Sequence, residues 1–245
     1  MAKQDLKIET RDGTAKAGLF RSGAASPSKA GVILYMDAFG LRPALDQMAE
    51  RLAGLGYAVL VPDTLYRNAP YGPFDAKTAF TVEATKAALT ALIGGTTQEM
   101  TISDSSAFLD ALAAEGITGP VGVVGYCMGG ARALNAAATY HDRIVAAASF
   151  HGGNLASDAP NSPHHKAASI KARIYVGVAG VDRSFPPEQS ARLAEALRVG
   201  EVDHAIENYV GMAHGRCVPD HSVFDATGAE RHWKRLLAFF AETLA

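Results

Sequence analysis

The chain has only two cysteines, Cys127 and Cys217, so no disulfide framework can be built and a reducing compartment is expected. No apolar run approaches the roughly 18 residues of a membrane span. The opening stretch MAKQDLKIETRDGTAKAGLF has no apolar core of the signal-peptide kind. Basic excess is missing too: 23 Lys and Arg face 25 Asp and Glu, which removes the electrostatic footprint of a nucleic-acid or anionic-membrane binder. The histidines show no metal-ligand spacing, and no metal or other cofactor is expected. Together these absences predict a soluble, cytoplasmic protein whose partner is a small molecule. Its oligomeric state is not readable from one sequence.

What is present is apolar pattern. Hydrophobic residues make up 48% of the 245, enough for a large core in a single domain spanning 1–245. LKIETRDGTAKAGLFRSG alternates about Asp12-Gly13 and predicts an antiparallel hairpin. SGAASPSK reads as a loop of small residues. Short apolar runs follow in GVILYM, YAVLVPD, PVGVVGY, IVAAASF and ARIYVGVAG, with HAIENYVGMA last. Helical spacing lies between them: Leu45, Met48, Leu52 and Leu55; Phe80 to Leu92; Met100 to Glu115; Pro187 to Val199; and Ala229 to Leu244. Strands alternating with helices predict an α/β fold, with a mostly parallel, doubly wound sheet flanked by helices.

In such sheets ligands bind beyond the carboxyl ends of the strands. Gly125-Tyr126-Cys127-Met128-Gly129 follows one strand and opens one helix. It is the G-x-S-x-G nucleophile elbow with cysteine at the centre, small residues two places to either side, and a helix N-terminus that favours a thiolate. It lacks both the G-x-G-x-x-G spacing of a dinucleotide site and the lysine of a phosphate loop. A cysteine nucleophile needs a base, and the base needs an orienting acid. In the order nucleophile, acid, histidine, Asp182 follows one later strand and His214 the next. His151 precedes every suitable acid, His164 and His165 lie in a loop, His204 begins a strand, and His232 lies in the last helix. The backbone N–H groups of Met128 and Ala38 are the candidate oxyanion donors.

Cys127 in GYCMGG, with Asp182, His214, LYMDAFG and PDTLYR, resembles the dienelactone hydrolase family of α/β-hydrolases across nearly the whole chain. The resemblance implies the α/β-hydrolase fold and cleavage of a small ester or lactone. It also implies that a carboxylate after the first parallel strand, here Asp37, helps to deprotonate the thiol, and that arginines, matched by Arg67 and Arg216, hold a substrate carboxylate. The family enzyme acting on dienelactone has glutamate where this chain has Asp37, serine where it has Gly215, and its second arginine further past the histidine. Two other readings stand beside this one. The first is a promiscuous carboxylesterase or aryl-esterase, tolerant of phosphoryl esters, with no dienelactone role. The second is a non-catalytic binding or thiol redox-sensing protein, in which Cys217 would answer Cys127.

Overall fold

The computed structural model describes residues 2–23 and 30–244. Most of the expected SGAASPSK loop therefore lies outside the described residues. In chain order the elements are β1 (Ala2–Thr10), β2 (Gly13–Arg21), β3 (Gly31–Tyr35), α1 (Pro43–Ala53), β4 (Ala58–Pro62), α2 (Glu83–Gly95), α3 (Gln98–Ala114), β5 (Val121–Tyr126), α4 (Met128–Thr139), β6 (Ile144–Phe150), β7 (Arg173–Val181), α5 (Pro187–Val199), β8 (His204–Ala213) and α6 (Ala226–Thr243).

The strands form one sheet in the order β1-β2-β4-β3-β5-β6-β7-β8. β1 pairs with β2, and β2 with β4, antiparallel; every pair from β4 to β8 is parallel. The expected hairpin closes with Thr10 opposite Gly13. β3 and β5 are buried at every position, because helices cover both faces of a central parallel strand. Ile33 and Tyr35 face the core shared with α3, α4 and α5; Val32 and Leu34 face the core shared with α1 and α6. Burying a side chain such as Leu34 stabilises the fold by about 1.5–3 kcal/mol. No described helix is long and apolar enough to cross a membrane.

Helix limits differ from the sequence pattern where caps decide them. α3 begins at Gln98 because the Thr97 side chain accepts from the Met100 N–H at 3.2 Å. α6 begins at Ala226 because Asp225 accepts from the Gly228 N–H at 2.6 Å. α2 starts at Glu83 and runs through Gly94 and Gly95, later at both ends than its apolar residues suggest.

The strand order positions the site. From β3 the chain turns to β4 on one side, then returns to β5 on the other. The crevice beyond the ends of β3 and β5 is thus the switch point of the sheet. Ala38 follows one of these strands and Cys127 the other.

Candidate active site

Cys127 sits between β5 and α4 with φ 54° and ψ −119°, a conformation that costs a non-glycine residue free energy. The turn is tight enough to dictate its neighbours. A Cβ on Gly125 would overlap the Gly129 carbonyl, and one on Gly129 would run into the carbonyl oxygens of Tyr35 and Met36. The Cys127 N–H donates to Phe150 O at 3.2 Å, which ties the turn to β6. The side chain is partly exposed.

His214 follows β8, and its Nδ1 lies 2.7 Å from Asp182 Oδ2. The other Asp182 oxygen accepts from the Ser184 N–H at 2.8 Å and the Ser184 hydroxyl at 2.6 Å. With Nδ1–H donated to Asp182, Nε2 is left for the thiol of Cys127, which lines the same cavity. Burial disfavours the Asp182 carboxylate, but the bonds from His214 and Ser184 outweigh it and hold its pKa below the usual value. Burial likewise opposes the His214 imidazolium, yet the nearby Cys127 charge and the hydrogen bond and charge of Asp182 raise its pKa to about 10.

Cys127, Asp182, His214, Ala38 and Met128 all line one cavity of about 1250 Å³. Among the described residues, neither the Ala38 nor the Met128 N–H has an acceptor within the chain. Its lining includes the apolar Phe39, Phe80, Ile93 and Val223 and the polar Arg132, Gln98 and Asn161.

Three of the expected residues lie outside the cavity lining. Asp37 is fully buried and does not line the cavity. Its Oδ1 accepts from Arg42 at 2.7 Å and from the Phe39 N–H at 3.1 Å; its Oδ2 accepts from Arg42 at 2.8 Å and His221 at 3.1 Å. Burial is outweighed by His221 and Arg42, so its pKa is lowered, and a carboxylate held this way is a poor base for a thiol. Arg67 lies outside the cavity in a short 3-10 turn, bonded to Asp104 at 2.7 and 2.8 Å and to Asp12 at 2.6 and 3.0 Å. Arg216 is wholly buried, its guanidinium 3.8 Å from the Tyr209 ring centroid and donating to Gly177 O at 3.2 Å. Neither arginine is placed to clamp a substrate in the cavity.

Two cavity residues were not anticipated. Arg132, five positions after Cys127, donates to Thr96 O at 3.0 Å and Thr101 Oγ1 at 2.6 Å, which pins the α2–α3 turn to α4. Burial lowers its pKa to about 10, against the raising charges of Cys127 and Asp104. His221 belongs to the loop between β8 and α6. No motif marks either residue. His151, set aside on chain order, packs its ring 4.9 Å from that of His214, and burial keeps it neutral. Cys217 is buried outside the cavity, and burial pushes its thiol up to about 12, which does not suit it as a resolving partner.

The sequence profile of the dienelactone hydrolase family matches residues 17–244, nearly the whole chain. The chain belongs to the dienelactone hydrolase family. It is a hydrolase with the α/β-hydrolase fold, as the resemblance implied. A relative from Synechocystis sp., provisionally named carboxymethylenebutenolidase, is 27% identical over 222 residues, covering 87% of this chain and 86% of its own. A solved structure described as a dienelactone hydrolase-like promiscuous phosphotriesterase from metagenomic libraries is 26% identical, with TM-score 0.80 and 99% of each chain covered. A provisionally named dienelactone hydrolase from Klebsiella pneumoniae shares the fold with TM-score 0.84 and 98% of each chain covered, at 20% identity.

Proposed function

We propose that this family member cleaves carboxylic esters or lactones through a Cys127–His214–Asp182 triad and an acyl-thioester intermediate. The observation that carries the reading is the single cavity in which a cysteine on a strained elbow meets a histidine already bonded to a buried carboxylate. The Cys127 thiolate attacks the carbonyl carbon. The carbonyl π pair moves to oxygen, and the Ala38 and Met128 N–H groups receive the oxyanion. As the tetrahedral centre collapses, the C–O bond breaks and the His214 imidazolium gives its Nε2 proton to the departing alkoxide. Neutral His214 then takes a proton from water as that water attacks the thioester, and Cys127 leaves as thiolate. Asp182 holds the ring in the Nδ1–H tautomer throughout. In a lactone the alkoxide stays tethered to the acyl group.

The substrate reading shifts toward neutral, bulky esters. The arginines expected to hold a carboxylate are spent elsewhere, while the cavity exceeds the 300–1,000 Å³ usual for small-molecule sites and counts Phe39, Phe80, Ile93 and Val223 in its lining. The phosphotriesterase description of one solved relative supports trying phosphoryl esters as well.

The test is p-nitrophenyl acetate hydrolysis by the wild type, Cys127→Ala and His214→Gln, followed by a comparison of a carboxylate-bearing lactone with a neutral naphthyl ester. Both variants should fall to background, and the naphthyl ester should give the larger kcat/KM. A Cys127→Ala protein that retains the rate would overturn the mechanism; a preference for the lactone would overturn the substrate reading.

A further inference from the structure

One imidazole in the cavity has no part in that scheme. His221 lines the cavity, yet its side chain is only 9% exposed. Its Nε2 lies 3.1 Å from Asp37 Oδ2, so it donates to a carboxylate that Arg42 already grips at both oxygens. Arg42 is held in turn by Asp220, the residue before His221, at 2.6 and 3.0 Å. Charge-assisted bonds thus run from His221 through Asp37 and Arg42 to Asp220, its chain neighbour, and tie the loop after β3 to the loop after β8. The imidazole also stands edge-on to Phe39, with ring centroids 5.0 Å apart.

The free edge of this braced ring meets Gly215, the residue after His214. A Cβ on Gly215 would fall inside the imidazole, and Gly215 holds φ +97°. His221 therefore touches both loops: the Asp37 loop, which carries the Ala38 amide, and the backbone that presents His214.

We infer that His221 is a positioning residue: braced by Asp37, it fixes the Gly215 backbone and so keeps the His214 imidazole against Cys127. This rests on the Cys127–His214–Asp182 reading. His214 is otherwise faced by Asp182 and Ser184 from the loop after β7, by Cys127 at the start of α4 and by His151 after β6. Ser184 and Asp182 meet only its Nδ1 side. A brace on the following residue adds to the packing of His151 a limit on how the ring swings about its hydrogen bond to Asp182.

The test uses the full chain with His221→Phe, His221→Ala and His221→Gln. Two readouts are taken: the pH profile of iodoacetamide alkylation at Cys127, and kcat and KM on p-nitrophenyl acetate. His221→Phe and His221→Ala should lower kcat by about 10–100-fold, the range expected for a misplacement near 1 Å, with KM within about threefold. Both should move the alkylation profile, because the Cys127–His214 contact loosens. His221→Gln, whose amide can still donate to Asp37, should stay close to the wild type in both readouts. Near-UV circular dichroism checks packing, and either the Phe or the Ala variant suffices should the other not fold. Unchanged kcat and profile in both would overturn the inference, as would a Gln variant as impaired as Ala. The alkylation profile needs no ester, so it decides the role of His221 even if the wild type shows no Cys127-dependent hydrolysis, a result that would instead remove the catalytic reading.

Discussion

Asp182 accepts three hydrogen bonds at two oxygens, and only one of them comes from His214. An amide at this position would keep its volume but present the wrong partner to Nδ1–H in one orientation and remove the charge in both. Asp182→Asn should therefore lower kcat by about 10³–10⁴, measured by initial rates, with KM little changed. The same variant tests the ionisation of His214. Its folded pKa, about 10, lies above the ordinary 6.5, so its contribution to stability is full below 6.5 and is lost as pH rises toward about 10. Urea midpoints should fall across that window in the wild type and fall less in Asp182→Asn. Equal slopes would show that Asp182 does not hold the imidazolium. The tight turn at Cys127 and the meeting of Asp182 with His214 were legible in the sequence because each rests on a local signal: glycines two residues from Cys127, and single residues just past apolar runs. His221 was not legible, because what gives it meaning is Asp37, 184 residues away in sequence.

Among the elements, the parallel strands were legible because burial on both faces leaves continuous apolar runs such as Val32 to Met36. Helix starts were less so. Thr97 and Asp225 set the beginnings of α3 and α6 through side-chain bonds to N–H groups, and the polar residues that do this interrupt the apolar period rather than extend it. Thr97→Ala and Asp225→Ala should each cost about 1 kcal/mol in chemical denaturation. No loss in either would mean that the cap bond is replaced by solvent. α2 departs from the pattern for another reason. Phe80 and Val82 are exposed and lie before the helix; within it Leu89 is the only fully buried side chain, in a small cluster with Ala38, Phe39, Ala76 and Ala79, while Ile93 lines the cavity, so the apolar residues do not mark the helix ends.

For the whole molecule, the most informative departure is the fate of the arginines. Each expected substrate clamp is consumed by long-range tertiary contacts: Arg67 by the β1–β2 turn and α3, and Arg216 by β7 and the Tyr209 ring of β8. Sequence proximity to a strand end cannot reveal a partner such as Asp104, which is fully buried and takes two bonds from Arg67. Arg67→Ala should leave KM for a carboxylate-bearing lactone unchanged while lowering stability by about 3 kcal/mol, because it strands a buried carboxylate. A raised KM without loss of stability would restore the clamp. The fold as a whole places the end of β5 beside the end of β3, and the chemistry follows from that adjacency.

Intact-protein and peptide mass spectrometry of enzyme quenched in acid during p-nitrophenyl acetate turnover, with wild type and Cys127→Ala in parallel, decides whether Cys127 is the nucleophile. The account predicts an acetyl adduct on the wild-type peptide containing Cys127, formed and lost at rates compatible with kcat, and none on the variant. An adduct on another residue, or turnover with no adduct on Cys127 under conditions that accumulate the intermediate, would contradict it.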